Sequence, residues 1–182
     1  KNDATLLWDA YFIYDLDIMR QVAGILGHKD DSVRYAGLRD ERVPFFNRTY
    51  IDPATGKTRF AGQDKLVDTQ TSYLLPLAFG IVPDDMRSKV AGCLVNTIQR
   101  ANTSDDGKQC PPYSLMTGFI GTAWISRVLS DCGYKDVAYR LLQQTSYPSW
   151  LYSVEQGATT IWERLNSYTH TDGFGGNNQM NS

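Results

Sequence analysis

Apolar residues recur every three or four positions along most of the 182-residue chain, while strand-like alternation is scarce. This spacing is typical of helices that bury one face, so the pattern predicts an all-α protein. Six longer helices are predicted, at about residues 6–26, 33–50, 66–80, 83–101, 115–129 and 135–144.

Helix-terminating and turn-forming residues set these boundaries. Asp3 or Thr5 is suited to cap the first helix, and Gly27 is suited to end it. Pro44 predicts a kink or an early break in the second helix. Residues 52–64, which contain a Pro and a Gly at turn positions, are predicted to form a loop.

The segment from Tyr147 to Arg164 combines four aromatic residues, two glutamates and a Gly-Ala-Thr-Thr run. Its first residues are predicted to be irregular. The run at 157–160 is predicted to open a short helix from about Thr160 to Leu165, whose first turn would carry Trp162 and Glu163.

Pairs of helices joined by short turns and separated by longer loops predict three consecutive αα-hairpins. Such hairpins stack either into an open solenoid or into a closed toroid of inner and outer helices. The regular repeats of known solenoid families are missing from the sequence, which favours the toroid. A toroid of this kind normally has six hairpins. Residues 1–182 are therefore expected to form a single partial (α/α)6 domain, about half of the toroid, without its N-terminal half.

Composition limits the classes of partner. A formal net charge of −2 and a pI of about 5.6 provide no basic surface for nucleic acid or an anionic membrane. The apolar runs are too short and too often interrupted by charge to cross a bilayer. Three cysteines without metal-site spacing predict free thiols, and neither a metal nor a cofactor is expected.

Loops that open on one face of the hairpins carry polar and aromatic residues suited to bind a sugar. Aromatic faces stack on its C–H groups, while carboxylates, amides and hydroxyls bind its OH groups. Glu163 is the first candidate for chemistry. An acid in the first turn of a helix is equally favoured by the helix dipole, so that interpretation stays open, and Glu155 is a second candidate in the same segment.

Several motifs resemble the catalytic domain of bacterial α-L-rhamnosidases, glycoside hydrolase family 78. The most specific is Gly157-Ala-Thr-Thr-Ile-Trp-Glu-Arg164, preceded by Thr145-Ser-Tyr-Pro-Ser-Trp150. Thr117-Gly-Phe-Ile-Gly-Thr122 and Leu129-Ser-Asp-Cys-Gly-Tyr134 precede them, and Leu77-Ala-Phe-Gly-Ile-Val-Pro83 lies further upstream in the family's order. The resemblance covers nearly the whole chain.

This resemblance implies a six-hairpin toroid that removes terminal α-L-rhamnose from glycosides with inversion at the anomeric carbon. It assigns the role of general base to Glu163, which must be ionised to activate water. The expected partners are a rhamnose-containing oligosaccharide or glycoside and the remainder of the catalytic domain. The side chains expected to contact the sugar are Trp162, Thr160, Asp68, Trp150, Tyr113 and His170.

The general acid of the family lies in an Arg-Asp-Glu-Arg segment followed by Gly-Trp. Arg39-Asp-Glu-Arg42 matches only the first part, so Glu41 is more simply interpreted as part of a solvated charged face. The acid is expected outside this chain, and the isolated polypeptide is expected to lack useful rhamnosidase activity.

Two further functions stay open at this point. The chain could belong to a non-catalytic helical carbohydrate-binding or interaction domain, or to a different (α/α)6 enzyme, such as another exo-glycosidase or a lyase. The compartment stays open as well, with the periplasm or the exterior slightly favoured.

Overall fold

Helices form most of the computed structural model, which describes residues 2–104, 107–171 and 173–175. The chain divides into two compact units, Lys1–Leu94 and Val95–Ser182. The helices are α1 Ala4–Ile25, α2 Lys29–Tyr50, α3 Gln70–Ala78, α4 Asp84–Gln99, α5 Gly118–Asp131, α6 Lys135–Leu142 and α7 Trp150–Glu155. The strands form two short antiparallel hairpins, β1 Asn102–Thr103 with β2 Gln109–Cys110 and β3 Tyr168–Thr169 with β4 Gly173–Phe174.

In the first unit, α1 and α2 form an αα-hairpin, and α1 also packs against α3. The side chains that α1 buries follow the helical period, because they recur at residues 6, 10, 13, 16 and 23. Asp3 caps α1, with its Oδ1 accepting from the N–H of Thr5 at 2.9 Å. Of the two caps that the sequence allowed, the structure therefore selects Asp3.

The second helix continues through Pro44 to Tyr50 without a break. Phe46 and Tyr50, which follow the proline, are almost completely buried and anchor this last part of the helix. The Asn47 amide donates to the carbonyls of Val43, 2.9 Å away, and Ile81, 2.8 Å away. Of the predicted kink or early break, the break is wrong, because core packing and these hydrogen bonds hold the helix together beyond the proline.

The third helix begins at Gln70, four residues later than predicted. Leu66 instead pairs with Arg59 in an isolated β-bridge, and Asp68 adopts a left-handed backbone with φ of 48°. Thr69 and Ser72 then form a capping box. Every residue from 70 to 77 is buried.

In the second unit, α5 and α6 form another αα-hairpin, with Ile125, Val128 and Leu129 buried on α5 and Val137 and Leu141 buried on α6. The fifth helix begins three residues later than predicted, at Gly118. The backbone N–H of Leu115 is engaged elsewhere, since it donates to the carbonyl of Pro148 at 2.8 Å. The β1–β2 hairpin lies between α4 and α5, where no strand was predicted.

The prediction of a short helix over Thr160–Leu165 is wrong. The helix in this part of the chain is α7, at residues 150–155. Gly157, with φ of 82°, ends α7. Its N–H donates to Val154, and the N–H of Ala158 donates to Ser153. These two hydrogen bonds form a Schellman motif. The glycine therefore terminates a helix instead of opening one.

Candidate active site

Glu163 lies in the irregular segment between α7 and β3, and its side chain is exposed. It is outside any helix, so the stabilisation of an acid by a helix dipole cannot explain its presence here. The structure thus removes the alternative that the sequence left open for this residue.

The residues that precede Glu163 differ sharply in exposure. Thr160 is exposed and Ile161 is 83% exposed, whereas Trp162 is only 8% exposed. The indole Nε1 of Trp162 is buried and has no hydrogen-bond partner among the described residues. A buried N–H donor of this kind is stabilised when a ligand or neighbouring group offers it an oxygen.

A turn that ends on the buried Ser167 follows Glu163. The backbone N–H of Arg164 donates to Ser167 Oγ at 3.3 Å, and the N–H of Ser167 donates to the Arg164 carbonyl at 3.1 Å. The Tyr152 hydroxyl donates to the carbonyl of Tyr168 at 3.3 Å, which ties α7 to β3. These contacts hold both ends of the segment that carries Glu163.

Trp150 is the first residue of α7 and is half-buried. Its position is set by Ser149, whose Oγ accepts from the N–H of Tyr152 at 3.1 Å and caps the helix. An aromatic ring at this place is partly open to a ligand and is fixed by a capped helix.

Tyr113 has a left-handed backbone, with φ of 64°, and is half-buried. Its N–H donates to the carbonyl of Ile98 at 2.6 Å, and the Arg140 guanidinium lies 4.2 Å from its ring centroid. The cation–π contact fixes the orientation of the ring.

His170 is exposed in the turn between β3 and β4, and its ring packs edge-on against Tyr168 at 5.7 Å.

Asp68 belongs to the first unit. The buried hydroxyl of Tyr73 donates to its Oδ1 at 2.5 Å, next to the capping box of α3. Burial, followed by this hydrogen bond, raises the pKa of Tyr73.

Five of the expected site residues, Trp150, Thr160, Trp162, Glu163 and His170, lie within residues 150–170, and Tyr113 belongs to the same unit. Asp68 lies in the other unit. Sequence reasoning missed Ser167 and Tyr152, which hold this segment in place, and Arg140, which packs on the Tyr113 ring. The contacts of Tyr152 and Arg140 join positions that folding brings near one another, whereas Ser167, inside an Asn-Ser pair, carried a local turn signal.

The other carboxylates singled out in the sequence are exposed. Glu155 is the last residue of α7, and Glu41 lies on an exposed part of α2, as the solvated-face interpretation predicts. Within the described residues, the His, Cys, Asp and Glu side chains form no group that could hold a metal ion. None of the helices in the described residues has the length and apolarity needed to cross a bilayer.

All 182 residues match the family described as the bacterial alpha-L-rhamnosidase 6 hairpin glycosidase domain. An alpha-L-rhamnosidase of Formosa agariphila is 35% identical over 96% of this chain and 17% of its own length. One from Streptomyces avermitilis is 36% identical over 91% of this chain and 14% of its own length.

Two solved structures share the fold. The Streptomyces avermitilis alpha-L-rhamnosidase complexed with L-rhamnose matches 94% of this chain and 15% of its own chain, with 36% identity and a TM-score of 0.77. The native alpha-L-rhamnosidase of Aspergillus terreus matches 100% of this chain and 19% of its own chain, with 30% identity and a TM-score of 0.80. These likenesses confirm the prediction of αα-hairpins from a toroid. The chain spans less than a fifth of the length of these relatives.

Proposed function

Because the chain belongs to the family of bacterial α-L-rhamnosidase six-hairpin glycosidase domains, we propose that it is the part of an inverting α-L-rhamnosidase that carries the general base. The reaction removes terminal α-L-rhamnose from glycosides. The observation that carries this proposal is the family match over residues 1–182, which includes the whole segment around Glu163.

Glu163 is the general base of the proposed reaction. In an inverting hydrolysis, a carboxylate takes a proton from water as the water attacks the anomeric carbon, and an acid on the other side of the sugar protonates the leaving oxygen. The Glu163 carboxylate is exposed to water, while the side chain of its neighbour Trp162 is buried and restrains the backbone. Both features support this role. The mechanism needs neither a metal nor a cofactor.

The general acid of this reaction lies outside the 182 residues. In inverting glycosidases the two carboxyl groups are about 6.5 to 9.5 Å apart, which leaves room for the attacking water. Glu155 and Glu41 are exposed, and neither fits the family's acid motif. The remainder of the catalytic domain is therefore a required partner of this chain, and the acid is one of its contributions.

Rhamnose is held by polar and aromatic side chains of the unit that carries Glu163. Trp150 and Tyr113 offer partly exposed rings for stacking on the C–H groups of the sugar. The exposed Thr160 and His170 are free to reach its hydroxyl groups. A sugar oxygen would also satisfy the unpaired indole N–H of Trp162 after a small opening of the segment.

Asp68 is proposed as a further ligand of the rhamnose hydroxyl groups. Its carboxylate is only partly buried, and its Oδ1 accepts from the buried Tyr73 hydroxyl. This bond restrains the side chain, and a carboxylate already held in one orientation loses less entropy when it binds a hydroxyl.

The stereochemistry of the released sugar tests the proposed function. The full-length protein is mixed with an aryl α-L-rhamnoside, and the anomeric protons of free rhamnose are followed by NMR. The β-anomer should form first and then equilibrate with the α-anomer. Initial release of the α-anomer would exclude inversion, and faster cleavage of an aryl glycoside of another sugar would exclude rhamnose as the substrate.

A further inference from the structure

Ser167 is a fully buried serine four residues after Glu163. All its backbone and side-chain polar groups form hydrogen bonds. Its Oγ accepts from the N–H of Arg164, its N–H donates to the Arg164 carbonyl, and its carbonyl accepts from the N–H of Gly175 at 2.9 Å. One side chain thus closes the turn directly after Glu163, and its backbone joins that turn to the end of the β3–β4 hairpin.

The segment around Glu163 has no helix or strand that could fix its position. Its backbone depends instead on the anchor before it, Trp162, and on the turn after it, which Ser167 closes. Loss of the Ser167 hydroxyl would leave the Arg164 N–H without its acceptor in a part-buried position. Because Arg164 is the neighbour of Glu163, any movement that relieves this loss also moves Glu163.

We infer that Ser167 is a positioning residue for Glu163, acting through its hydrogen bond to the Arg164 backbone. This inference rests on the proposed role of Glu163 as general base. A base that activates water must be placed to within a fraction of an ångström, and a displacement of about 1 Å can lower a rate about 100-fold. Ser167 itself touches neither the sugar nor the water in this reaction.

Substitution of Ser167 in the full-length enzyme tests this role. Ser167→Ala should lower kcat on an aryl α-L-rhamnoside by about 10- to 100-fold and change KM by less than about twofold, because only the base is displaced. Ser167→Thr keeps the acceptor oxygen and should retain kcat within about threefold of the wild type. Rates are normalised to the folded fraction, measured by circular dichroism.

Ser167→Cys provides the same information if the alanine variant does not fold. Its sulfur fills a similar volume but accepts hydrogen bonds weakly, so kcat should fall between the values of the threonine and alanine variants. Equal kcat values for the serine and cysteine enzymes would contradict the inference. So would a threonine variant that loses as much activity as the alanine variant.

Ser32→Ala is the control. The Ser32 hydroxyl also forms a hydrogen bond between a side chain and the backbone, since it donates to the Arg20 carbonyl at 3.0 Å, but it joins α1 to α2 in the first unit, whereas Glu163 belongs to the second. Its loss should lower the melting temperature and leave kcat within about threefold. If Ser32→Ala and Ser167→Ala reduce kcat equally, the cause is a general loss of stability and the inference is wrong.

The two proposals can fail separately. If Glu163→Gln retains activity, the assignment of the base is wrong, and the role of Ser167 is lost with it. If Glu163→Gln is inactive while Ser167→Ala keeps wild-type kcat and KM, the base assignment stands and only the positioning role is excluded.

Discussion

At the scale of single residues, two buried tyrosines of the first unit share one arrangement. The Tyr50 hydroxyl donates to Asp9 at 2.6 Å, and the Tyr73 hydroxyl donates to Asp68. Burial and then the carboxylate partner raise the pKa of both tyrosines above the ordinary value of 10.0. Each hydroxyl therefore keeps its proton in the folded protein at a pH where the unfolded chain has lost it.

Tyr73→Phe should destabilise the first unit at neutral pH by about 1.5 to 3 kcal/mol, because a buried hydrogen bond to a carboxylate is lost. The raised pKa favours the protonated, folded form, so this contribution is complete below about pH 10 and declines as the pH rises towards the folded-state pKa. The difference in unfolding midpoint between wild type and variant, measured in urea, should therefore shrink above about pH 10.

Tyr139→Phe is the control for this measurement, because the Tyr139 side chain lies exposed on α6. Its effect on stability should be within about 0.5 kcal/mol at any of these pH values. If the destabilisation by Tyr73→Phe stays constant as the pH rises well above 10, the proposed linkage between the Tyr73 proton and folding is wrong.

At the scale of elements, α1 depends on a buried acid at its start. Asp3 caps the helix through Oδ1, and its Oδ2 accepts from the N–H of Ala61 at 3.1 Å, which joins the helix start to the loop at 52–64. Asp3→Ala should lower the free energy of unfolding by about 2 to 4 kcal/mol, since both the cap and the loop contact disappear.

Asp3→Asn keeps one acceptor oxygen and should lose only about half as much stability. Hydrogen exchange at Thr5 and Ala61 shows which contact is lost, because both N–H groups should exchange faster in Asp3→Ala and only one of them in Asp3→Asn. Unchanged exchange at both amides in the alanine variant would contradict the assigned contacts.

Periodicity predicted the existence of α1 to α6, because each is long enough to show its buried face in the sequence. It failed where two local signals competed. Gly157 can open or end a helix, and only the hydrogen bonds from Gly157 and Ala158 back to α7 decide between these. The false start of α3 at Leu66 has a similar cause, since pairing with Arg59 comes from folding and overrides local propensity.

The candidate site was predictable in a different way. Physical reasoning on Glu163 alone could not distinguish a catalytic carboxylate from an acidic residue that stabilises the first turn of a helix. Only the resemblance of residues 157–164 favoured catalysis. The structure adds a physical reason, because Glu163 is outside any helix. Contacts such as Arg140 on Tyr113 join residues 27 positions apart in the chain, and no local pattern contains them.

At the scale of the whole molecule, α1 presents an apolar face to solvent. Exposed apolar side chains recur at helical spacing, at Trp8, Phe12 and Met19 on α1 and at Leu26 directly after it. The Trp8 side chain is 71% exposed and that of Leu26 is 65% exposed. Large exposed apolar patches usually mark a surface that another element covers. In a six-hairpin domain, a neighbouring hairpin is the expected cover, which supports the proposal that the remainder of the catalytic domain is the partner of this chain.

The isolated 182-residue polypeptide should therefore release no measurable rhamnose from an aryl α-L-rhamnoside, since the proposed general acid lies in the remainder of the catalytic domain. The full-length protein, assayed at the same molar concentration, is the positive control. Turnover by the isolated polypeptide after removal of contaminating glycosidases would show that the acid lies within these residues.

Glu163→Gln in the full-length enzyme tests the central claim most directly. Glutamine keeps the size of the side chain but cannot accept a proton from water. We predict that kcat for rhamnose release falls about 10²- to 10⁴-fold while the melting temperature stays within about 2 °C of the wild type, as befits an exposed side chain. Glu155→Gln, measured in parallel, should retain activity. If Glu163→Gln keeps its activity, or if Glu155→Gln alone loses it, Glu163 is not the base.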